Sequence, residues 1–158
     1  MAGPAIRAFE LGLALSDEFD VTVFSPHRAS SAFEAEVRAK RRLPPAFHLV
    51  TGASKAQLNN LAYQADAIFI QANVLKPNPG LASLGKYLIV DLYDPYLFSV
   101  LVQYQTNDVA ADASFRLMHK VLEQHMVSCD FSVCASERQR DYWIGRYCAL
   151  GRITPDMY

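Results

Sequence analysis

Two aspartates and a tyrosine follow a short apolar run, and their carboxylate and phenol groups can bind a polar ligand. The apolar run is Tyr87-Leu-Ile-Val90, and the polar segment is Asp91-Leu-Tyr-Asp-Pro95. If the run is a strand of a parallel α/β sheet, the segment lies at its carboxyl end, where such sheets bind ligands. A second interpretation is structural, because an aspartate before proline often caps a turn, and here a helix would begin at Tyr96.

A glycine, a proline and an arginine stand at the start of the first predicted helix, Ala5 to Ser16. In Gly3-Pro4-Ala-Ile-Arg7 the glycine lets a ligand approach the backbone, and the proline is preorganised for the first helical turn. The free N–H groups at that position favour an anion. Without other motifs, the same residues describe an ordinary helix start with an exposed arginine.

A third polar segment follows the apolar run Phe131-Ser-Val-Cys-Ala135. Ser136 and Gln139 match a capping box, in which the serine and the third residue after it satisfy each other's free backbone donors. Because the segment also follows a predicted strand, Gln139 is a candidate cleft residue. A solvated helix face accounts for the charged neighbours of Gln139, and Trp143 is predicted to belong to the core.

The histidines and cysteines form no metal-binding or nucleophile pattern. Of the four histidines, His27 has the best position for a ligand contact, because it follows the predicted strand Val21–Phe24 at its carboxyl end. His119 and His125 are six residues apart on one predicted helix, a spacing that does not place both on one face. The sequence therefore predicts no bound metal and no other cofactor.

Short apolar runs alternate with helical patterns, which predicts an α/β fold with a parallel sheet buried on both faces. The predicted strands are Val21–Phe24, Phe47–Val50, Ala67–Gln71, Tyr87–Val90 and Phe131–Ala135. Capping boxes that mark helix starts lie at Ser31–Glu34, Ser54–Gln57 and Ser136–Gln139. One further helix, 112–128, is predicted to pack a single apolar stripe made of Phe115, Met118, Leu122 and Met126.

Together these segments resemble the N-terminal, acceptor-binding domain of a retaining glycosyltransferase of the two-domain GT-B type, in family 4. The strongest match is Cys134-Ala-Ser-Glu-Arg-Gln-Arg-Asp-Tyr-Trp-Ile-Gly145, continued by Ala149-Leu-Gly-Arg-Ile153. The Asp91–Pro95 and Gly3–Arg7 segments add to the match, which extends over nearly all of residues 1–158. The resemblance implies one Rossmann-like domain, a parallel sheet with helices on both faces.

The resemblance also implies a function, which is transfer of a sugar from a nucleotide-sugar to an acceptor with retention of configuration and without an essential metal. It implies that Asp94 is the catalytic residue and that the loop before the first helix lies against the nucleotide-sugar phosphates. The candidate binding residues of the cleft are Gly3, Pro4, Arg7, His27, Tyr93, Ser136 and Gln139. The donor-binding half of such an enzyme is not in this chain, so we expect the chain alone to be inactive.

One feature departs from that family. The chain opens with a helix, whereas a doubly wound domain of this kind opens with a strand near the middle of its sheet. We therefore expect the first strand to be missing, with an unpaired edge beside Val21–Phe24. Because unpaired edges are prone to pair with another chain, the sequence predicts a homo-oligomer through the incomplete sheet.

Composition restricts the partners and the compartment. The formal net charge is -1 with 20% charged residues, so no basic field attracts nucleic acid. No apolar run approaches the roughly 18 residues of a membrane-spanning helix, and the opening does not match a signal peptide. The 3 cysteines form no C-x-x-C pair, which fits a reducing cytoplasm.

Two other functions stay open at this point. The chain is long enough to be a stand-alone α/β binding or interaction module without catalysis. A nicotinamide-dependent dehydrogenase or an epimerase is disfavoured, because the sequence contains no complete G-x-G-x-x-G fingerprint.

Overall fold

The computed structural model describes residues 3–29, 37, 43–71, 74–103 and 109–157, and it is an α/β structure with small parallel sheets. The α-helices are α1 (Gly3–Leu15), α2 (Lys55–Gln64), α3 (Tyr96–Gln103), α4 (Val109–Ser128) and α5 (Glu137–Ala149). The strands are β1 (Val21–Ser25), β2 (Phe47–Thr51), β3 (Ala67–Gln71), β4 (Tyr87–Asp91) and β5 (Phe131–Val133). The chain divides into two compact units, residues 1–61 and 62–158.

In the first unit, α1 packs on a parallel pair formed by β1 and β2, which begins with Val21 opposite Phe47. The ring of Phe9 meets the ring of Phe47 edge to face, with 5.2 Å between the centroids. Gly12 faces Val23 so closely that an added Cβ would lie 2.5 Å from a methyl carbon of that valine. The missing side chain of Gly12 therefore allows the helix to approach the sheet.

The second unit contains a three-stranded parallel sheet in the order β3-β4-β5. The register places Gln71, Asp91 and Val133 side by side at the carboxyl ends of the strands. Near the other end of β5, the main-chain N–H of Leu88 donates to a carboxylate oxygen of Asp130 at 2.8 Å. The N–H of Asp130 in turn donates to the Leu88 carbonyl at 2.8 Å. This reciprocal pair fixes the start of β5 against β4.

The core of the second unit joins one face of that sheet to α4. Leu88 of β4 is nearly fully buried, as are Leu122 and Met126 of α4. The other two members of the predicted stripe, Phe115 and Met118, are half-buried and pack against the same core. The amphipathic pattern of this helix is therefore confirmed, and burial of its apolar stripe is what stabilises it.

The opposite face of the three-stranded sheet is open at its amino end. Tyr87 is 71% exposed and Phe131 is 63% exposed. Because alternate residues of a strand share a face, the pairing of Ile89 with Phe131 puts both rings on the same side. The sequence predicted strands buried on both faces. On this side only the carboxyl end is well covered, where Asp91 is fully buried.

The element boundaries lie within three residues of the predicted ones; α4 begins at Val109 instead of residue 112, and two other differences have local causes. α1 begins at Gly3 instead of Ala5, which suits proline in the first helical turn. β5 ends at Val133 instead of Ala135, because the N–H of Ala135 donates to the side chain of Gln139. The capping box at Ser54 is confirmed, and at Ser136 the serine caps the helix while the Gln139 side chain accepts from the Ala135 N–H instead of the Ser136 N–H. The third predicted box, at Ser31–Glu34, lies outside the described residues.

One edge of β1 pairs with β2, and within the described ranges no strand pairs with its other edge. The same part of the chain contains no helix with the length and apolar composition that crossing a lipid bilayer requires.

Candidate functional site

The candidate site of the second unit is built on the carboxyl end of β4. The strand ends at Asp91, and the next residue, Leu92, is only 1% exposed. The N–H of Leu92 donates to the carbonyl of Val133 on β5 at 2.7 Å. The indole N–H of Trp143 on α5 donates to the Leu92 carbonyl at 2.9 Å. Both main-chain groups of Leu92 are therefore hydrogen-bonded, which holds the start of the following segment in place.

Tyr93 and Asp94 follow that anchored residue, and both are half-buried. The carbonyl of Asp94 accepts a hydrogen bond from the N–H of Tyr96 at 2.7 Å, and α3 begins at Tyr96. The main chain of Asp94 thus takes part in the turn that starts the helix. This bond involves only the main chain of Asp94, so both interpretations of its carboxylate, as a cap and as a binding group, stay predictions.

The helix that follows the turn is fixed by Tyr96. Its ring is 8% exposed, and its hydroxyl donates to the carbonyl of Met118 on α4 at 3.0 Å. Burial raises the pKa of the Tyr96 hydroxyl well above its usual range, so this group stays protonated and keeps its role as a donor. The segment from Leu92 to Tyr96 is therefore anchored at both ends by buried hydrogen bonds.

Ser136 and Gln139 lie beyond the carboxyl end of β5, where they start α5. The Ser136 hydroxyl accepts from the Gln139 N–H at 3.3 Å. The Gln139 side-chain oxygen accepts from the Ala135 N–H at 2.9 Å. Both side chains thus serve the helix cap, as the sequence predicted for Ser136. The amide NH2 of Gln139 is the group of this pair that is suited to donate to a ligand.

The sheet order brings the candidate residues of the second unit to one edge. Because β4 and β5 are adjacent and parallel, Tyr93 and Asp94 leave the sheet at the same edge as Ser136 and Gln139. Carboxylate, phenol, hydroxyl and amide groups gathered in this way can bind a ligand rich in hydroxyl groups.

The other candidate residues lie in the first unit. Gly3, Pro4 and Arg7 form the first turn and a half of α1, and the exposed His27 follows β1. The 13 residues of α1 span about 20 Å and the five residues of β1 about 16 Å. A short connection, residues 16–20, joins the end of α1 to the start of β1, and the two elements pack together. The start of α1 and His27 therefore lie toward the same end of this unit.

The main chain around His27 is held by one local hydrogen bond and by one to the segment that follows β2. Its N–H donates to the Ser25 hydroxyl at 3.3 Å, and its carbonyl accepts from the N–H of Gly52 at 3.2 Å. Gly52 has a φ of +65°, and an added Cβ there would lie 3.0 Å from the Cβ of Arg28. Glycine at this position lets the chain leaving β2 pass against the segment that carries His27.

Two contacts of the second unit were not predicted from the sequence. Trp143 was correctly predicted to be buried, but its hydrogen bond to Leu92 depends on packing between elements far apart in sequence. Arg146, His119 and Glu123 meet between α4 and α5, and only the i,i+4 spacing of the last two gave a signal. Among the described residues, no group of three His, Cys, Asp or Glu side chains could hold a metal ion.

Comparison of the chain with protein-family models, with curated proteins and with solved structures found no match. Any assignment of function therefore depends on the chemistry of the residues described above and on the sequence resemblance.

Proposed function

We propose that the chain is the N-terminal, acceptor-binding half of a retaining GT-B glycosyltransferase, with a Rossmann-like domain formed by residues 1–158. The observation that supports the proposal most is the position of Tyr93 and Asp94. They follow an anchored residue at the carboxyl edge of a parallel sheet, beside the start of α5. Ligands of open α/β sheets bind at this edge.

The groups at that edge suit a sugar acceptor. A sugar presents several hydroxyl groups, and each needs an acceptor or a donor in a fixed direction to be held in register. In this proposal the Asp94 carboxylate orients the attacking hydroxyl and accepts its hydrogen bond, while the Tyr93 hydroxyl and the Gln139 amide bind neighbouring hydroxyls. Asp94 contributes most in the transition state, when the attacking hydroxyl begins to lose its proton.

The remaining parts of the proposal come from the resemblance. A second, donor-binding domain supplies most contacts to the nucleotide-sugar, and the residues Gly3, Pro4 and Arg7 approach its phosphates. Helices cover both faces of the complete sheet, the reaction needs no metal, and the protein acts in the cytoplasm. The net charge of -1 gives the chain no field that would attract nucleic acid.

A titration of the chain with sugars tests the proposal. The backbone amide signals of the chain are followed by NMR during addition of soluble monosaccharides, disaccharides and nucleotide-sugars. We expect an acceptor sugar to shift the signals of residues 92–96 and 135–139, and Asp94→Asn to weaken that response. Asp141→Asn is the matched control, because this exposed aspartate on α5 loses the same charge. The proposal would be contradicted if sugars shifted only the signals of other residues, or if no sugar shifted any signal.

A binding or interaction module without catalysis is the second candidate function. The exposed rings of Tyr87 and Phe131 on one sheet face favour it, because parallel sheets usually bury both faces. The same titration separates the two functions, since a module that binds a partner through this sheet face would show no sugar-induced shifts at the carboxyl edge.

A further inference from the structure

A groove of about 470 Å³ lies between α4 and α5, and its lining includes none of Tyr93, Asp94, Ser136 and Gln139. Its lining includes His119 and Glu123 of α4 and Tyr142, Gly145, Arg146 and Ala149 of α5. Arg146 is nine residues after the start of α5, which corresponds to about 14 Å along the helix axis. The groove is therefore a second candidate site of this unit.

Arg146 has more hydrogen-bond donors than nearby acceptors. Its side chain is 19% exposed, and one of its terminal nitrogens, Nη2, lies 3.4 Å from Nδ1 of His119. The same nitrogen is 3.9 Å from Oε1 of Glu123, which is too far for a hydrogen bond. The buried Nε of Arg146 has no hydrogen-bond partner within the described part of the chain. Of the five N–H donors of this guanidinium, the one on Nε therefore has no acceptor among the described residues, and the contacts of Nη2 are long.

His119 cannot satisfy both of its charged neighbours. Its Nδ1 lies 3.6 Å from Glu123 as well as 3.4 Å from Arg146. With a lone pair on Nδ1 it accepts from Arg146 and offers nothing to Glu123. With a proton on Nδ1 it faces Glu123 favourably but presents a second donor to Arg146. In either state Arg146 lacks an oxyanion partner at hydrogen-bond distance within the cluster.

The rest of the groove suits an apolar group. Gly145 has nothing within 4 Å of the position that a Cβ would occupy, so the groove has room beside it. The small side chain of Ala149 and the half-buried ring of Tyr142 continue the lining. Apolar walls with a few convergent polar groups at one end are typical of small-molecule sites.

The negative charge of Glu123 disfavours a ligand with more than one negative charge. A carboxylate matches the planar fork of arginine and can accept two of its hydrogen bonds. A phosphate dianion would do the same but would meet stronger repulsion from Glu123, which is 3.9 Å from the same Nη2. We propose that the groove between α4 and α5 binds a small monocarboxylate with an apolar or aromatic body, whose carboxylate is held by Arg146. This inference does not rest on the proposed glycosyltransferase function.

The test uses benzoate as the probe and inorganic phosphate as the comparison, added to the chain at constant ionic strength and followed by NMR. We expect benzoate to shift the amide signals of residues 119–123 and 142–150 and to bind more tightly than phosphate. Arg146→Leu should weaken benzoate binding by about tenfold or more, the change that corresponds to a lost charge-assisted hydrogen bond. Arg140→Leu is the matched control, because Arg140 lies on the same helix in an exposed ion pair with Glu137.

Two more variants keep the test decisive if Arg146→Leu does not fold. Gly145→Leu fills the groove and replaces a poor helix former by a good one, so we expect it to fold and to lose benzoate binding. Glu123→Gln removes the opposing charge and should tighten binding. The proposal is overturned if phosphate binds at the groove more tightly than benzoate. It is also overturned if benzoate shifts no groove signals, or if Gly145→Leu binds it as well as the original chain.

Discussion

The indole N–H of Trp143 donates a 2.9 Å hydrogen bond to the carbonyl of Leu92, although the two residues are 51 positions apart. Leu92 is the first residue after β4, and Tyr93 and Asp94 come directly after it. The packing of α5 against the core therefore determines where the candidate site begins. A change at Trp143 should affect both the stability of the second unit and the position of Asp94.

Replacing Trp143 by phenylalanine tests the effect on stability. The variant leaves the buried Leu92 carbonyl without its donor and leaves a small cavity beside a residue that is 3% exposed. We expect the free energy of unfolding to fall by about 2–4 kcal/mol. Urea unfolding followed by circular dichroism measures it. Tyr142→Phe is the control, and a Trp143→Phe variant as stable as the original chain would show that the bond contributes nothing.

His125 should make the stability of the chain depend on pH. The side chain is 1% exposed, its Nδ1 lies 2.6 Å from the Val121 carbonyl, and its Nε2 lies 3.2 Å from the Leu75 N–H. A carbonyl only accepts and an N–H only donates, so these partners require the neutral ring with its proton on Nδ1. Burial lowers the pKa of His125 in the folded chain.

The sign of the effect follows from that lowered pKa. Below about pH 6.5, the usual pKa of histidine, the unfolded chain takes up a proton at residue 125 that the folded chain resists. Stability should therefore be greatest above pH 6.5 and should decrease as the pH falls from there toward the folded-state pKa. Urea unfolding at several pH values between 7.5 and 5.5 measures the slope.

Two variants isolate the contribution of His125. His125→Asn removes the titrating ring, so its stability should depend less on pH over the same interval than that of the original chain. His27→Asn removes an exposed imidazole and leaves the buried site intact, which makes it the matched control. An identical slope in the His125→Asn variant would contradict this account of the buried ring.

The outer edge of β1 should support self-association. The N–H of Val21 donates to the Ala46 carbonyl at 2.7 Å, so the N–H of Thr22, the next residue, points to the opposite edge. Proline at position 22 would remove an outward donor without breaking the β1–β2 hydrogen bonds. We expect light scattering to detect dimers of the chain and Thr22→Pro to reduce them. A monomer at all concentrations would refute association at this edge.

The strands and most helix starts could be predicted because their signals are local. Each predicted strand begins at the observed residue, and the helix caps formed by Ser54 and Ser136 depend on contacts three residues apart. The bonds from Trp143 to Leu92 and from Leu75 to His125 join residues about 50 positions apart. No periodicity or motif contains that information, since it arises only when the helices pack on the sheet.

The location of the candidate site could be predicted from the sequence, but the contacts that hold it in place could not. The position of Tyr93 and Asp94 beyond the end of β4 follows from the apolar run before them. The anchoring of that segment by Leu92 and Tyr96 does not, because both anchors depend on tertiary hydrogen bonds. The contacts of Arg146 with His119 and Glu123 could not be predicted either, since they depend on the distance between α4 and α5.

The most direct measurement of the central claim is the turnover of Asp94→Asn in an active glycosyltransferase that contains this chain as its acceptor-binding half. The change keeps the shape of the side chain and removes its negative charge. If Asp94 orients the acceptor hydroxyl, turnover should fall by roughly 100-fold or more while the melting temperature changes little. If Asp94 is only a cap, stability should fall by about 1 kcal/mol while each folded molecule keeps its turnover. The first result is the one we predict, and the second would contradict the acceptor-site assignment.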